Sequence, residues 1–174
     1  KLPFKDGIFD VVWSFSVIQH THKTRLLNCI GHIHRILRQG SFAKLEFPNK
    51  NGLRNRFGPV PQAEKNRDDI NSWDVRYYTP SEYRNIFEPL FKNFRFENHS
   101  FFGIGVLKED IKYTTSLKNK AISAISLFFS GIAAILKPMK YLSDSIYVIV
   151  QKKENTLNNE QSVKTFLNLH AARP

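Results

Sequence analysis

The sequence is poor in cysteine, methionine and acidic residues. Among 174 residues there is one cysteine, Cys29, and one methionine. A single thiol excludes an internal disulfide, and a lone cysteine in a helical apolar stripe is usually a small buried hydrophobe. A reducing, cytoplasmic setting fits this usage. Fifteen acidic residues face 26 basic ones, which gives a net charge of +11. This imbalance favours an anionic partner such as a nucleic acid, a membrane surface or a phosphorylated substrate.

The sequence also lacks an apolar run long enough to cross a bilayer. Its longest uncharged apolar stretch is the sixteen residues of Ala121–Leu136. As a helix this stretch would be about 24 Å long, short of the ~30 Å hydrocarbon core of a membrane. Lysines flank both of its ends: Lys118, Lys120, Lys137 and Lys140. The pattern fits a buried cap helix, a dimer contact or a helix lying in a membrane interface. We therefore expect a cytoplasmic protein, with membrane association as an open alternative.

The first part of the chain has the pattern strand, helix, strand. Phe9–Phe15 is an almost continuous apolar run, which predicts a strand buried on both faces. Thr21–Arg38 has apolar residues at helical spacing, with Thr21 as its expected N-cap and Gly40 at the left-handed position after its end. Phe42–Phe47 is the next predicted strand. Short links between such elements predict a right-handed crossover of two parallel strands.

An irregular segment, Asn49–Asp74, follows this unit. It contains the densest group of basic residues: Lys50, Arg54, Arg56, Lys65 and Arg67. This group is either a solvated loop or a basic rim over a negatively charged substrate. The sequence Thr79-Pro80-Ser81-Glu82 then predicts a helix that begins with a capping box and extends to Phe91, shortened or kinked by Pro89. Just before it, Trp73, Tyr77 and Tyr78 could line an acceptor site or fill the core.

The rest of the chain adds two strands, a helical insert and a tail. Phe94–Phe102 and Ser145–Gln151 are predicted strands, the second rich in β-branched and aromatic residues. Residues 106–143 form the predicted helical insert, and residues 154–174 form a polar tail. Residues 1–153 are therefore expected to make one α/β domain.

The residues before the first strand form a specific sequence motif. The sequence Leu2-Pro3-Phe4-Lys5-Asp6-Gly7-Ile8-Phe9-Asp10 resembles the class I S-adenosylmethionine-dependent methyltransferases, and the order of elements resembles the second half of their domain. The resemblance implies a partial Rossmann-like sheet, mostly parallel with an antiparallel last strand. It implies that the predicted strands are the fourth, fifth, sixth and seventh of that sheet.

The resemblance also implies a cofactor, S-adenosylmethionine, and a set of binding residues. Leu2, Pro3 and Phe4 would lie beside the adenine, and Ser14, Phe15 and Ser16 would line the methionine end. Gln19 would also bind the cofactor, at the acidic or polar position that the family has before a histidine. His20 would face the cofactor or the substrate, either as a general base or as a residue that orders the helix start or the cofactor carboxylate. No metal site is predicted, because the spacing of His22, His32 and His34 does not place two ligands on one helix face.

The sequence departs from the family pattern in one respect that bears on activity. No glycine-rich G-x-G-x-G loop follows a strand, and the acidic residue that would hold the cofactor ribose is absent. We therefore expect the chain to be part of a longer parent and inactive alone. The expected reaction is methyl transfer to a small-molecule, lipid-linked or glycan acceptor. The alternatives are a nucleic-acid-binding module, suggested by the charge, and a non-catalytic interaction domain with a methyltransferase-like fold. The sequence does not predict an oligomeric state.

Overall fold

The computed structural model describes residues 2–57, 73–102, 110–113 and 115–153. These residues form four strands, five α-helices and two 3₁₀ turns, Ile18–His20 and Lys137–Leu142. In chain order the elements are β1 (Phe9–Ser14), α1 (Lys23–Ile36), β2 (Leu37–Pro48), α2 (Leu53–Phe57), α3 (Pro80–Phe87), β3 (Phe91–Ser100), α4 (Asp110–Tyr113), α5 (Leu117–Ile135) and β4 (Ser145–Lys152). The predicted tail, 154–174, and the basic residues Lys65 and Arg67 lie outside the described residues.

The four strands form one sheet in the order β1-β2-β4-β3. β1 and β2 are parallel, with Val12 opposite Ala43 and Ser14 opposite Leu45. β4 lies between β2 and β3 and is antiparallel to both. Three strands therefore run in one direction and the last runs against them. This confirms the predicted sheet, mostly parallel with an antiparallel last strand.

The core lies on the face of the sheet that α1 and α3 cover. Its buried members come from both helices and from the inward positions of the strands: Leu26, Ile30, Ile33, Leu45, Phe47, Tyr83, Phe87, Ile146, Val148 and Val150. Alternate residues of β2 point to this face, as expected for a strand with period two. The Tyr83 hydroxyl donates a hydrogen bond of 2.8 Å to the carbonyl of Pro48. This bond ties α3 to the end of β2.

The prediction that the first strand is buried on both faces is wrong for the described structure. β1 is the edge strand of the sheet, and Val11 and Trp13 are exposed. Phe42, the register partner of Val11, points to the same side and is exposed as well. The continuous apolar run predicted the strand correctly. The edge position of β1 leaves one of its sides exposed to solvent.

The ends of α1 also differ from the prediction. The helix begins at Lys23, and its N-cap is His22, whose Nδ1 accepts a hydrogen bond of 3.3 Å from the backbone N–H of Thr24. Thr21 instead closes the preceding 3₁₀ turn through its own N–H. Gly40 has the predicted left-handed conformation (φ +73°). It lies inside β2 rather than at the helix end, because Leu37 is already extended.

The predicted capping box of α3 is confirmed. The Thr79 Oγ1 accepts from the backbone N–H of Glu82 at 3.2 Å, and the Glu82 carboxylate accepts from the N–H of Thr79 at 2.8 Å. The helix ends at Phe87, before Pro89 and earlier than the predicted end at Phe91, which is already the first residue of β3. A proline near this position removes a helical hydrogen bond and favours termination.

In its described part, residues 49–57 and 73–74, the predicted irregular segment contains one short helix, α2. The start of this helix is fixed by a distant carboxylate. Asp144 accepts a hydrogen bond of 2.8 Å from the N–H of Arg54. Gly52 allows this close approach, because an added Cβ would lie 2.5 Å from the Asp144 Cα. Among the described residues, no helix is long and apolar enough to span a bilayer.

Candidate functional site

The carboxyl ends of β1, β2 and β3 meet at one edge of the sheet, together with the first residues of the antiparallel β4. In open α/β sheets, ligands bind at the carboxyl ends of the parallel strands. We refer to this region as the carboxyl edge. It contains Ser14–His20 after β1, Glu46 on β2, His99 on β3 and Ser145–Tyr147 on β4.

A buried carboxylate organises the turn after β1. Ser16 has a left-handed backbone (φ +52°), which is unfavourable for a residue with a side chain. Its N–H and its hydroxyl both donate to the Glu46 carboxylate, at 2.9 Å and 3.1 Å. Glu46 is fully buried, and its second oxygen accepts from the Ser145 hydroxyl. Three donors therefore satisfy this carboxylate, and it holds the turn in a conformation that the turn alone would not favour.

Gln19 connects this turn to His20. Gln19 is buried, and its side-chain amide lies 3.4 Å from the carbonyl of Ser16 and 3.3 Å from the Nε2 of His20. The Nδ1 of His20 lies 2.7 Å from the backbone carbonyl of Trp73. Because a carbonyl only accepts, Nδ1 carries a proton in this arrangement, and Nε2 accepts from the Gln19 amide. The structure thus brings three of the predicted site residues, Ser16, Gln19 and His20, into one hydrogen-bonded series.

Arg76, a buried side chain, supports this hydrogen-bonded series from the protein interior. Its side chain is fully buried, and one guanidinium nitrogen donates to the carbonyls of His20 and Asp74, each at 2.9 Å. Its backbone N–H donates to the carbonyl of Gln19 at 3.0 Å. The segment before α3 is therefore fastened to the 3₁₀ turn. Of the aromatic residues in that segment, Trp73 is exposed, whereas Tyr78 is in the core.

Aromatic rings line the next part of the edge. The ring of Phe15 meets His99 edge-on at 5.3 Å, and His99 meets Tyr147 at 5.0 Å. Burial lowers the pKa of His99; the nearby Glu46 raises that pKa in part, and Lys44 lowers it. Burial also raises the pKa of the Tyr147 hydroxyl, and the Glu46 charge adds to that effect. His99 is therefore a neutral, aromatic neighbour of Phe15 near physiological pH.

Glu46, Arg76 and His99 were missed by the sequence reasoning. For Glu46 a signal exists, since a lone acidic residue interrupts the apolar Leu45-Glu46-Phe47 of a predicted buried strand. Such residues are rarely buried without a partner. Arg76 and His99 carry no comparable local signal. Among the described residues, no three histidine, cysteine or acidic side chains are grouped closely enough to hold a metal ion.

Leu2, Pro3 and Phe4 lie at the other end of β1. Arg35, in the last turn of α1, donates to the carbonyls of Leu2 at 2.9 Å and Phe4 at 2.7 Å, and pairs with Asp6. The ring of Phe4 meets Phe9, the first residue of β1, edge-on at 5.1 Å. The structure does not bring these three predicted residues together with Ser14–His20, and their contact with an adenine stays a prediction.

Comparisons with known proteins agree with this arrangement of strands. A family model described as a methyltransferase domain matches residues 1–44, which contain β1, α1 and the first part of β2. No curated protein is significantly similar in sequence. A solved methyltransferase of Thermotoga maritima, dependent on S-adenosylmethionine, is 15% identical with a TM-score of 0.50, over 88% of this chain and 60% of that one.

A second solved structure gives a similar result. It is a Haloferax volcanii protein, named as a methyltransferase and solved with a methyltransferase activator. It is 14% identical with a TM-score of 0.50, over 90% of this chain and 59% of its own. The chain thus spans less than two thirds of the length of both structures. From the order and direction of its strands and from these similarities, the chain has the fold of the class I S-adenosylmethionine-dependent methyltransferases.

Proposed function

We propose that this chain is the C-terminal part of an S-adenosylmethionine-dependent methyltransferase that acts on a small-molecule, lipid-linked or glycan acceptor. The observation that carries the proposal is the hydrogen-bonded series at the carboxyl edge, in which the Ser16 turn, Gln19 and His20 are fixed on one side of β1. S-Adenosylmethionine is the cofactor of the proteins that share this fold. Neither the fold nor the similarities favour a nucleic-acid-binding module or a non-catalytic domain.

The residues at this edge fit the methionine end of such a cofactor. The Oε1 of Gln19 is buried and has no hydrogen-bond partner among the described residues, so it can accept a bond from an ammonium group. The Ser16 turn is held rigid by Glu46. A rigid turn suits a reaction that depends mainly on alignment, because methyl transfer is an in-line displacement. When bound, the cofactor supplies the methyl group and the sulfonium leaving group.

A weak-binding titration tests this assignment. Isotope-labelled chain is titrated with S-adenosylhomocysteine, the product of the cofactor, and heteronuclear NMR records the backbone shifts. We expect the largest perturbations at Ser14–His20, and smaller ones in the Gln19→Leu variant, which lacks the acceptor. An exposed-site variant, Asn85→Leu, is the matched control. Perturbations that are absent, or that are confined to other parts of the chain, would contradict the proposal.

The proposed role of His20 is that of a general base. Its Nε2 is the nitrogen that can take a proton, since Nδ1 is engaged by Trp73, and it does so once the Gln19 amide, 3.3 Å away, turns from it. We expect His20→Gln to leave binding of S-adenosylhomocysteine unchanged, but to slow methyl transfer to a proton-losing acceptor by about 10²- to 10⁴-fold. Transfer of labelled methyl groups by the assembled enzyme measures this, with His32→Gln as the control. Weaker cofactor binding with an unchanged rate constant would show that His20 orders the site instead.

The expectation that the chain is inactive alone is a separate proposal. It rests on the missing glycine-rich loop, which in this family holds the cofactor. Calorimetric titration of the 174-residue chain with S-adenosylmethionine tests it. Heat changes that fit a micromolar dissociation constant would refute it without affecting the assignment of the carboxyl edge.

A further inference from the structure

Helix α5 packs on the protein through small residues and Phe129, and it presents a second, apolar side to solvent. The buried positions are Ser123, Ser126 and Ala133. The Ser126 hydroxyl accepts a hydrogen bond of 3.0 Å from the backbone N–H of Phe101, so the serine side is the attached one. Large apolar side chains lie outside, with Phe128 65% exposed and Ile135 81% exposed. The Phe129 ring meets Phe101 at 5.7 Å on the attached side. The helix therefore differs from an ordinary surface helix in that its exposed side is apolar as well.

The exposed residues form one continuous stripe. Leu117, Ala121, Ile125, Phe128 and Ile135 recur at intervals of three, four or seven, which places them on one side of a helix. No charged residue occurs between Ala121 and Leu136. Contiguous apolar patches of this kind mark interaction surfaces in soluble proteins. The stripe therefore needs an apolar partner that the rest of the described chain does not supply to these side chains.

From this stripe we infer that α5 is a docking surface for an anionic membrane, with its apolar side in the headgroup region. The first argument is charge. Lys118, Lys120 and Lys137 are exposed at its two ends, and no acidic residue occurs between Lys112 and Ser143. Anionic headgroups provide the countercharge that the protein lacks here.

The same charges argue against a second copy of the chain as the occupant. A two-fold interface pairs each surface with itself, so the lysines of both copies would meet, and residues 113–142 contain no acidic side chain to compensate them. Like charges brought together in this way oppose association. A lipid surface does not carry this penalty.

The aromatic residues at the two ends of the helix are consistent with an interfacial position. Tyr113 precedes α5 and is exposed, and Tyr141 follows it and is partly exposed, with the Lys140 ammonium 5.3 Å from its ring. Tyrosine is enriched at membrane interfaces, because its ring is apolar and its hydroxyl is polar. The apolar stripe, the lysines and the tyrosines thus belong to one segment of the chain, 113–141. The inference does not depend on methyl transfer.

Vesicle sedimentation of the 174-residue chain tests the inference. We expect binding to vesicles of phosphatidylcholine mixed with phosphatidylglycerol, little binding to phosphatidylcholine alone, and loss of binding in high salt. The double variant Ile125→Gln, Phe128→Gln should bind more weakly by a factor of about ten or more, because two large apolar side chains no longer enter the interface. The control, Val11→Thr with Phe42→Thr, changes two apolar residues of matched exposure on the sheet and should bind normally.

A charge-matched pair completes the test. Glutamine replaces four lysines around α5 in one variant: Lys118, Lys120, Lys137 and Lys140. Glutamine replaces four exposed cations elsewhere in the other: Lys5, Lys23, Arg25 and Arg95. We expect only the first variant to lose binding to the anionic vesicles. Any of three results would overturn the inference: equal losses in both variants, no binding at low salt, or a dimer that the Ile125 and Phe128 changes abolish. Circular dichroism checks that each variant is folded.

Discussion

At the scale of single residues, the fully buried carboxylate of Glu46 connects elements that are far apart along the chain. It accepts hydrogen bonds from the backbone and hydroxyl of Ser16 and from the hydroxyl of Ser145. These partners belong to the turn after β1 and to the start of β4, so one side chain joins three strands at the carboxyl edge. Its negative charge also raises the pKa of Tyr147, after the larger effect of burial. The candidate site therefore depends on a residue that need not touch a ligand.

Replacing Glu46 by Gln tests this organising role. The glutamine side chain keeps one acceptor oxygen, but its NH₂ group then faces one of the hydrogen-bond donors that Glu46 accepts from. We therefore expect the free energy of unfolding to fall by about 1–3 kcal/mol. Urea denaturation measures it. The control is Glu97→Gln on β3, where the exposed carboxylate pairs with Lys44 and Arg95. There the expected change is under about 1 kcal/mol. Equal effects at the two positions would contradict the role of Glu46.

At the scale of elements, the helices show two ways in which a sequence positions a segment. The start of α3 is specified locally, since Thr79 and Glu82 satisfy each other's backbone N–H groups. The orientation of α5 is specified by distant contacts, because its serine side meets Phe101 and its apolar side faces outward. Local capping fixes where a helix begins, whereas packing fixes which side it presents.

The local capping of α3 gives a prediction at the same scale. Thr79→Ala removes the acceptor for the Glu82 N–H and should lower the free energy of unfolding by about 1 kcal/mol. Thermal denaturation followed by circular dichroism measures the change. Asn85→Ala, at an exposed position within the same helix, should be neutral or slightly stabilising because alanine has the higher helix propensity. A larger loss at Asn85 than at Thr79 would exclude the capping explanation.

At the scale of the whole molecule, basic groups and a half-buried histidine cover the edge of the sheet opposite the carboxyl edge. His34 of α1 meets the ring of Phe91 at 5.3 Å. Lys152 donates to the carbonyl of Leu37 at 2.7 Å, and Lys153 to that of Glu88 at 2.8 Å. Burial, followed by the charges of Lys152 and Lys153, lowers the pKa of His34 to about 4. The folded protein therefore favours the neutral ring.

This preference makes global stability depend on pH. The pKa of a histidine in the unfolded chain is about 6.5, so between pH 6.5 and 4 the unfolded state binds the proton and the folded state does not. The contribution of His34 to the free energy of unfolding is therefore fully present above pH 6.5. It falls by about 1–3 kcal/mol as the pH drops to 4. Urea denaturation at a series of pH values measures this. In His34→Leu the slope in this window should be smaller, and an unchanged slope would disprove the assignment.

The sequence by itself determined the succession of the main strands and helices and the capping box of α3. Periodicity and capping involve residues a few positions apart, so the chain contains that information locally. Only the tertiary structure decided that Glu46 is the partner of Ser16 and Ser145, 30 and 99 residues away along the chain. It also decided that α5 turns its apolar side outward. A pattern gives an element and its two sides, but long-range packing selects the partner that each side meets.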